Sequence, residues 1–193
     1  MRKNILLLAG CLCSLFAGAQ QISKGTVVTH FNIGHIDHLN FRNSPSQKNF
    51  NVSFNPGVGY FINNNFEIGT GFVFNKVHIN DHGSGFQENG TIVGIQLYTN
   101  YYFGKGKLKP YLTLQAGWNH SWGDFTLSGI KNNFTRNYFH TSVGGGVNWN
   151  IRHNISLFTE ASYRKENPFS RMGYSRLNLT VGARFFFGQK KKK

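Results

Sequence analysis

Three residues that could support nucleophilic catalysis occur in the second half of the chain. His140 and Ser142 are separated by one residue, and Glu160 follows further along the sequence. A serine becomes a nucleophile when an imidazole lies within hydrogen-bond reach and a carboxylate orients that imidazole. These residues define a hydrolase hypothesis, which depends on whether the fold brings them together.

A second group of residues has the chemistry of a transition-metal site. Imidazole and carboxylate side chains recur at short spacing in two stretches: His35, Asp37 and His38, and then His78, Asp81 and His82. Zinc, copper and nickel are bound by this combination of ligands. Histidines in loops are also commonly just solvated, so the spacing alone leaves surface metal binding as an open hypothesis.

The elements that must position these residues are marked by alternation of apolar and polar residues from about Lys24 to Phe187. One stretch alternates Val93, Ile95, Leu97, Thr99 and Tyr101 with Gly94, Gln96, Tyr98, Asn100 and Tyr102. A period of two indicates β-strands with one apolar face. The pattern predicts strands near residues 24–33, 48–61, 66–78, 90–103, 110–120, 136–149, 154–164 and 174–187. Each can cross a bilayer, which takes roughly 9 to 11 tilted strand residues.

The connections between these segments fall into two length classes. Short turns are predicted at residues 62–65, 104–109 and 150–153, and long polar loops at residues 34–47, 79–89, 121–135 and 165–173. Short turns at one end and long loops at the other are typical of barrels in the bacterial outer membrane. The predicted fold class is therefore all-β: an eight-stranded antiparallel transmembrane β-barrel. A soluble lipocalin-like barrel, with its apolar face inward, is the alternative.

The N-terminal residues indicate export. Arg2 and Lys3 precede an apolar run at residues 5–16, and a small-residue cleavage pattern ends at Ala19. We predict a cleaved signal peptide at residues 1–19, the barrel at residues 20–189 and a basic tail at residues 190–193. A lipoprotein-type signal and an uncleaved anchor are the alternatives. Both cysteines lie within the signal, so the mature chain has no thiol for a disulfide or a metal.

The formal net charge of +14 at pH 7 is strongly basic. An exported protein rarely meets nucleic acid, so we expect no nucleic-acid partner. Phosphates of lipopolysaccharide and anionic lipid headgroups attract Lys and Arg near a membrane surface. We therefore expect outer-membrane lipid and lipopolysaccharide as partners, with a solvated basic rim as the alternative.

The polar face of the strands contains a candidate lumen network of Glu67, Gln96, Gln115, Glu160, Arg164 and Arg184. An eight-stranded barrel is filled by its own side chains, whereas aqueous channels need about 16 strands or more. Buried charges must be paired or hydrated. We therefore expect acids and bases, Arg176 included, to pair across adjacent strands and plug the lumen. A narrow channel for small solutes or ions is the alternative.

The predicted strands disfavour the hydrolase hypothesis. With the turn centred near Arg152, Glu160 is expected opposite Gly144 and His140 opposite Arg164, roughly 13 Å apart along the strand. The alternation also places the His140 side chain inside the barrel, where it would not face a substrate in the membrane. We predict that the protein is not an enzyme and needs no cofactor.

Aromatic residues are expected in two interfacial girdles. Those near the short turns are Tyr60, Phe61, Phe66, Tyr101, Phe103, Tyr111, Trp149, Phe185, Phe186 and Phe187, and those near the long loops are Phe50, Phe74, Trp118, Trp122, Tyr138, Phe139, Tyr163 and Tyr174. Such girdles would fix the height of the barrel in the membrane.

Three segments carry a family resemblance that extends over nearly the whole mature chain: residues 55–71, residues 110–112 and the ending at residues 179–187. The chain resembles the outer-membrane β-barrel domain family, also labelled porin-family proteins and similar to OmpX and the OmpA membrane domain. The resemblance implies a monomer in the outer membrane of a Gram-negative bacterium, assembled by the outer-membrane assembly machinery through an aromatic ending such as Phe187. The filled lumen and the lack of a catalytic centre lead us to predict a structural or surface-interaction role through long extracellular loops, with the loop ligand unknown.

A second resemblance is more local. His140, Ser142 and Glu160 resemble the residues of lipid A deacylases, although Val143 stands where those enzymes usually have Asn. A lipid A modifying enzyme therefore remains the alternative from another functional class.

Overall fold

The computed structural model describes residues 22–37, 47–81, 85–104, 106–167 and 175–188. Within them lie eight strands: β1 Val27–Asp37, β2 Gln47–Phe61, β3 Phe66–Asp81, β4 Phe86–Tyr102, β5 Leu108–Leu127, β6 Ile130–Arg152, β7 Ile155–Glu166 and β8 Ser175–Phe187. Each strand pairs antiparallel with the next, and β8 pairs with β1 to close a barrel. The predicted fold class and all eight predicted strands are confirmed. The predicted signal and basic tail lie outside the described residues.

The two faces of each strand differ in chemistry. On β4, Ile95 and Leu97 on the outer face are 65% and 68% exposed, whereas Gln96 and Tyr98, which alternate with them, are buried inside the barrel. An apolar exterior is stable against lipid and a polar interior is stable when its groups are hydrogen-bonded. The lipocalin-like alternative is wrong, because it requires the opposite arrangement. No helix in the described part of the chain is long and apolar enough to cross a membrane.

The short turns lie together at one end of the barrel. The turn at residues 62–65 has the predicted bounds, and Asn63 Oδ1 accepts hydrogen bonds from the backbone N–H groups of Asn65 and Phe66, both at 2.8 Å. Asparagine favours turns because its side chain can satisfy nearby backbone donors in this way. The other two turns are shorter than predicted, at residues 103–107 and 153–154.

Two of the predicted long loops are wrong. Residues 121–135 form the continuation of β5 and β6, joined only by Ser128 and Gly129, whose φ angles of 51° and 82° are those of a tight hairpin turn. Residues 79–89 likewise belong mostly to β3 and β4. We attribute the polar composition there to strands that extend beyond the membrane, where neither face of the sheet contacts lipid. A strand of polar residues cannot be distinguished from a loop by its composition. The other two predicted loops lie largely outside the described residues.

We call these continuations the projecting sheet. It comprises residues 47–53 of β2, 75–81 of β3, 86–91 of β4, 120–127 of β5 and 130–137 of β6. β6 has 23 residues, whereas a tilted strand needs roughly 9 to 11 to cross a bilayer. The excess of about 12 to 14 residues corresponds to on the order of 40 Å along the strand at the usual rise per strand residue. The barrel therefore carries a tall, one-sided extension at the end opposite the short turns.

Candidate functional site

The lumen near the short-turn end is organised around Glu67 on β3, which is fully buried. Its Oε1 accepts a hydrogen bond from the Tyr98 hydroxyl at 2.8 Å. Its Oε2 accepts hydrogen bonds from the Tyr102 hydroxyl at 2.5 Å and from Asn100 Nδ2 at 3.0 Å. All three donors lie on the inner face of β4, so the alternation of that strand supplies the whole donor set of the carboxylate.

Arg184 on β8 lies on the other side of the same lumen and is buried. Its Nη1 donates a hydrogen bond to the Tyr102 hydroxyl, which therefore connects Arg184 to Glu67. The guanidinium carbon lies 4.6 Å from the ring centre of Tyr111 and 4.4 Å from that of Phe158. Planar guanidinium groups stack favourably on aromatic faces. The arginine is thus packed against aromatic rings and hydrogen-bonded to the Tyr102 hydroxyl.

A second carboxylate, Glu160 on β7, accepts hydrogen bonds from two side chains on β5. The Tyr111 hydroxyl donates to its Oε2 and Gln115 Nε2 donates to its Oε1, both at 3.0 Å. Gln115 Oε1 in turn accepts a hydrogen bond from the Ser142 hydroxyl at 3.2 Å. The chain of contacts continues from the short-turn half of the lumen toward the projecting sheet.

Arg164 on β7 belongs to the next layer, and its Nε lies 3.7 Å from Glu166 Oε1. With the Asn119 amide oriented so that its oxygen faces Arg164, that oxygen accepts a hydrogen bond from Nη2 at 2.6 Å. Asn119 is fully buried on β5. This layer brings together one base, one acid and one amide in the half of the barrel nearer the projecting sheet.

A small cavity lies between these side chains. The interior cavity that borders Arg184 has a volume of about 20 Å³ and is lined by His30, Asn32, Gln96, Tyr98, Asn100, Gln115, Phe158, Glu160 and Arg184. A site holding one water molecule needs roughly 10 to 15 Å³ on the same measure. The cavity can therefore hold a water molecule but not a hydrated ion.

The structure places the six residues of the predicted lumen network inside the barrel: Glu67, Gln96, Gln115, Glu160, Arg164 and Arg184. The pairing differs from the expected exchange between acids and bases, because tyrosine and amide groups donate to Glu67 and Glu160. Arg176 lies opposite Arg164 in the sheet, and its side chain is outside the described part.

Sequence reasoning missed several inward residues. Phe61, Tyr111, Tyr138 and Phe186 were assigned to the interfacial girdles, but all four are buried within the barrel. Alternation along each strand predicts that these four side chains point inward, because each lies next to a residue that points outward. In a run of three aromatics such as residues 185–187, the middle one must point inward.

The predicted register between β6 and β7 is also wrong. Glu160 lies opposite Gly146 and His140 lies opposite Glu166, two residues away from the predicted partners. The turn is centred between residues 153 and 154, and an irregularity between Asn150 and Arg152 shifts the pairing. His140 and Glu160 are consequently six residues apart in register, roughly 20 Å at the rise of a strand. The structure does not bring the proposed catalytic trio together.

The histidine groups are only partly within the described residues. His38 and His82 lie outside them, while His35 and Asp37 are in β1 and Asp81 is in β3. His78 Nδ1 is 2.5 Å from Asn89 Oδ1 on the outer face of the projecting sheet. Among the described residues, no group of three or more His, Cys, Asp or Glu side chains could hold a metal ion. Surface metal binding stays a prediction.

The projecting sheet has a polar outer face and an aromatic inner face. On the outer face, Asn89 Nδ2 is 3.5 Å from Asp124 Oδ2, which in turn lies 3.5 Å from Lys131 Nζ. On the inner face, the Arg136 guanidinium carbon lies 5.4 Å from the ring centre of Phe134. The sheet is therefore held together by side chains as well as by its backbone ladder.

One margin of the projecting sheet is a strand edge. β7 ends at Glu166 opposite His140, so residues 130–137 of β6 pair with β5 and with no other strand in the described part of the chain. We call residues 130–137 the free edge. In an antiparallel pair closed by a two-residue turn, the flanking pair Leu127 and Ile130 is hydrogen-bonded and the pattern then alternates. The backbone groups of Lys131, Asn133, Thr135 and Asn137 therefore point away from β5.

A closed antiparallel barrel with an apolar exterior, a polar interior and short turns at one end is an outer-membrane β-barrel. The chain belongs to the outer membrane protein beta-barrel domain family, whose model matches residues 5–185. The protein is located in the outer membrane. In barrels of this class the short turns face the periplasm and the long end faces the cell exterior.

Solved structures of outer-membrane barrels share this fold. OprG of Pseudomonas aeruginosa is 10% identical with a TM-score of 0.57, covering 89% of this chain and 100% of its own. Ail of Yersinia pestis is 14% identical with a TM-score of 0.52, covering 85% and 99%. Neisserial surface protein A is 17% identical with a TM-score of 0.52, covering 84% and 97%. No curated protein matches the chain significantly.

Proposed function

We propose that this protein is a surface-interaction protein of the outer membrane, acting through its projecting sheet rather than through its lumen. The free edge of β6 is the observation that carries the proposal. The interior supports it, because Arg184, Glu67 and three tyrosines contact one another across the periplasmic half, and the cavity that borders Arg184 has a volume of about 20 Å³. A narrow channel is the alternative, and nothing in the lumen geometry favours it.

We further propose that the protein has no catalytic centre. Glu166 rather than Glu160 lies opposite His140, and its carboxylate is 3.7 Å from Arg164. The Ser142 hydroxyl donates to Gln115, so its proton is not directed at an imidazole. A nucleophilic serine needs that imidazole as its base. These contacts disfavour the lipid A deacylase alternative.

The free edge indicates how a partner would bind. A row of outward N–H and C=O groups is a template for adding another strand, and natural proteins usually shorten or cover such edges. Here the edge has eight residues, from 130 to 137, at the end of a strand that is longer than the bilayer requires. We therefore propose that an extended polypeptide segment adds to β6, with main-chain hydrogen bonds providing affinity.

The side chains beside the edge indicate which peptides fit. Lys131 is 65% exposed, and Arg136 is exposed while its guanidinium rests on Phe134. Opposite charges on directly paired strands attract, and like charges repel. A segment with acidic residues and an apolar residue facing Phe134 is the best match. Lipopolysaccharide and the outer-membrane assembly machinery remain the proposed partners of the barrel wall.

The test uses a random twelve-residue peptide library displayed on phage and selected against the mature barrel in lipid nanodiscs. Thr135→Pro removes one outward N–H while keeping the ladder with β5, since Thr135 does not donate to that strand. We expect the selected peptides to bind the native protein. Their affinity for the Thr135→Pro variant should be at least about tenfold lower, which corresponds to roughly 1.4 kcal/mol of binding free energy.

Thr135→Ala is the matched control, because it changes the side chain and keeps the N–H. Selected peptides should bind this variant as they bind the native protein. Equal binding of the selected peptides to Thr135→Pro and the native protein would show that they use another surface. Failure to enrich any peptide would remove the strand-addition mechanism.

A further inference from the structure

The residues that precede β1 close the periplasmic mouth of the barrel. Ile22 is 1% exposed although it lies outside every strand. It belongs to the same buried apolar cluster as Val28, Phe61, Tyr102, Tyr111, Phe158 and Phe186. These side chains point inward in the half of the barrel nearer the short turns, so Ile22 packs among residues at the floor of the lumen.

Local hydrogen bonds hold the segment in this position. The Gly25 N–H donates to the Phe61 carbonyl at 2.9 Å, and the Lys24 N–H donates to Asn64 Oδ1 at 2.9 Å. Gly25 has a φ of 87°, a left-handed conformation that glycine adopts without strain. This reversal turns residues 22–24 back toward the barrel. The segment is thus attached to the turn between β2 and β3.

We propose that residues 22–26 act as a periplasmic cork, with Ile22 as the group that seals the lumen. This proposal does not depend on the free edge and goes beyond the surface role. The aromatic floor presents an apolar seat to the periplasm, and Ile22 covers it. Behind the seat lies the network of Arg184 and Glu67, which the cork separates from periplasmic water. When the cork leaves its seat, this network becomes accessible from one side only.

The test measures access of a thiol reagent to the lumen. The chain from Gln20 onward contains no cysteine, so a single introduced cysteine reports one position. Ser156 is fully buried, lies opposite Arg184 in the sheet and donates to Asn148 Oδ1 at 2.8 Å. Ser156→Cys therefore places a thiol in the lumen near the periplasmic end, and a charged methanethiosulfonate reagent reports its accessibility.

We expect Ile22→Asp to raise the labelling rate of the Ser156→Cys protein by about tenfold or more, because a carboxylate is not retained in an apolar seat. Ile62→Asp is the matched control, since Ile62 is 40% exposed in the adjoining turn, and it should leave the rate unchanged. Ile22→Val should also leave it unchanged. Asn154→Cys, in an exposed turn, gives the rate of an accessible thiol.

Folding is checked by the different gel migration of the barrel before and after boiling. If Ile22→Asp fails to fold, a chain lacking residues 20–22 replaces it, with the same expected increase. Equal labelling of Ser156→Cys with Ile22 intact and of either folded variant carrying Ser156→Cys would overturn the cork. Labelling of Ser156→Cys with Ile22 intact as rapid as that of Asn154→Cys would also overturn it, because the seat would then be open.

Discussion

Arg184→Met is expected to lower the free energy of unfolding by about 3 to 5 kcal/mol, the usual cost of removing one partner from a buried charged network. The substitution keeps the volume of the side chain but removes the hydrogen bond to Tyr102 and the stacking on Tyr111 and Phe158. It also leaves the buried carboxylates of Glu67 and Glu160 without the positive charge of Arg184. Urea unfolding of the refolded barrel, followed by fluorescence of its three tryptophans, measures the change.

Two further variants make this result specific. Arg152→Met removes an arginine from an exposed position beside a short turn, and it should change the unfolding free energy by no more than about 0.5 kcal/mol. Adding Glu67→Gln to Arg184→Met should recover part of the loss, because a neutral amide no longer requires the cation. If Arg184→Met is no more destabilising than Arg152→Met, the arginine is hydrated rather than held by the network.

The lumen network was accessible to sequence reasoning only in part. Alternation along β4 places Tyr98 and Tyr102 inside, and both donate to Glu67 in the structure. Which donor meets which acceptor depends on the stagger between strands that are distant in sequence. Tyr102 and Arg184 are 82 residues apart. No local pattern specifies that contact, so the prediction named the charged residues and missed their aromatic partners.

The errors in loops and register have related physical causes. Outside the membrane a strand no longer needs an apolar face. Residues 121–135 therefore show no alternation of apolar and polar residues, although β5 and β6 remain paired there. Between β6 and β7, the turn lies further along the chain than predicted, which shifts the pairing by three residues, and the irregularity between Asn150 and Arg152 reduces the shift to two. A side-chain period of two cannot reveal a shift of two residues, because the same faces stay inward.

The network also predicts electrical behaviour. Refolded native barrels should show no discrete openings in a planar lipid bilayer, because the interior cavity bordering Arg184 has a volume of only about 20 Å³. Replacing Tyr102, Tyr111 and Arg184 together by Ala removes three of the large buried groups between the walls. We expect this triple variant to give discrete, cation-selective openings, because Ile22 loses Tyr102 and Tyr111 from the cluster that it packs against. Glu67 and Glu160 remain and become hydrated once water fills the space.

The matched control replaces two tyrosines on the lipid side, Tyr60 and Tyr101, by Ala. Both are exposed at 45% and 44%, so the same kind of truncation leaves the lumen unchanged and the bilayer should stay silent. Only preparations that migrate as folded barrels on a gel are compared. Openings in the native protein would establish a conducting lumen and favour the channel over the surface role. A silent triple variant that is folded would place the barrier elsewhere, and the cork at Ile22 is then the next barrier to remove, because it closes the same lumen from the periplasmic side.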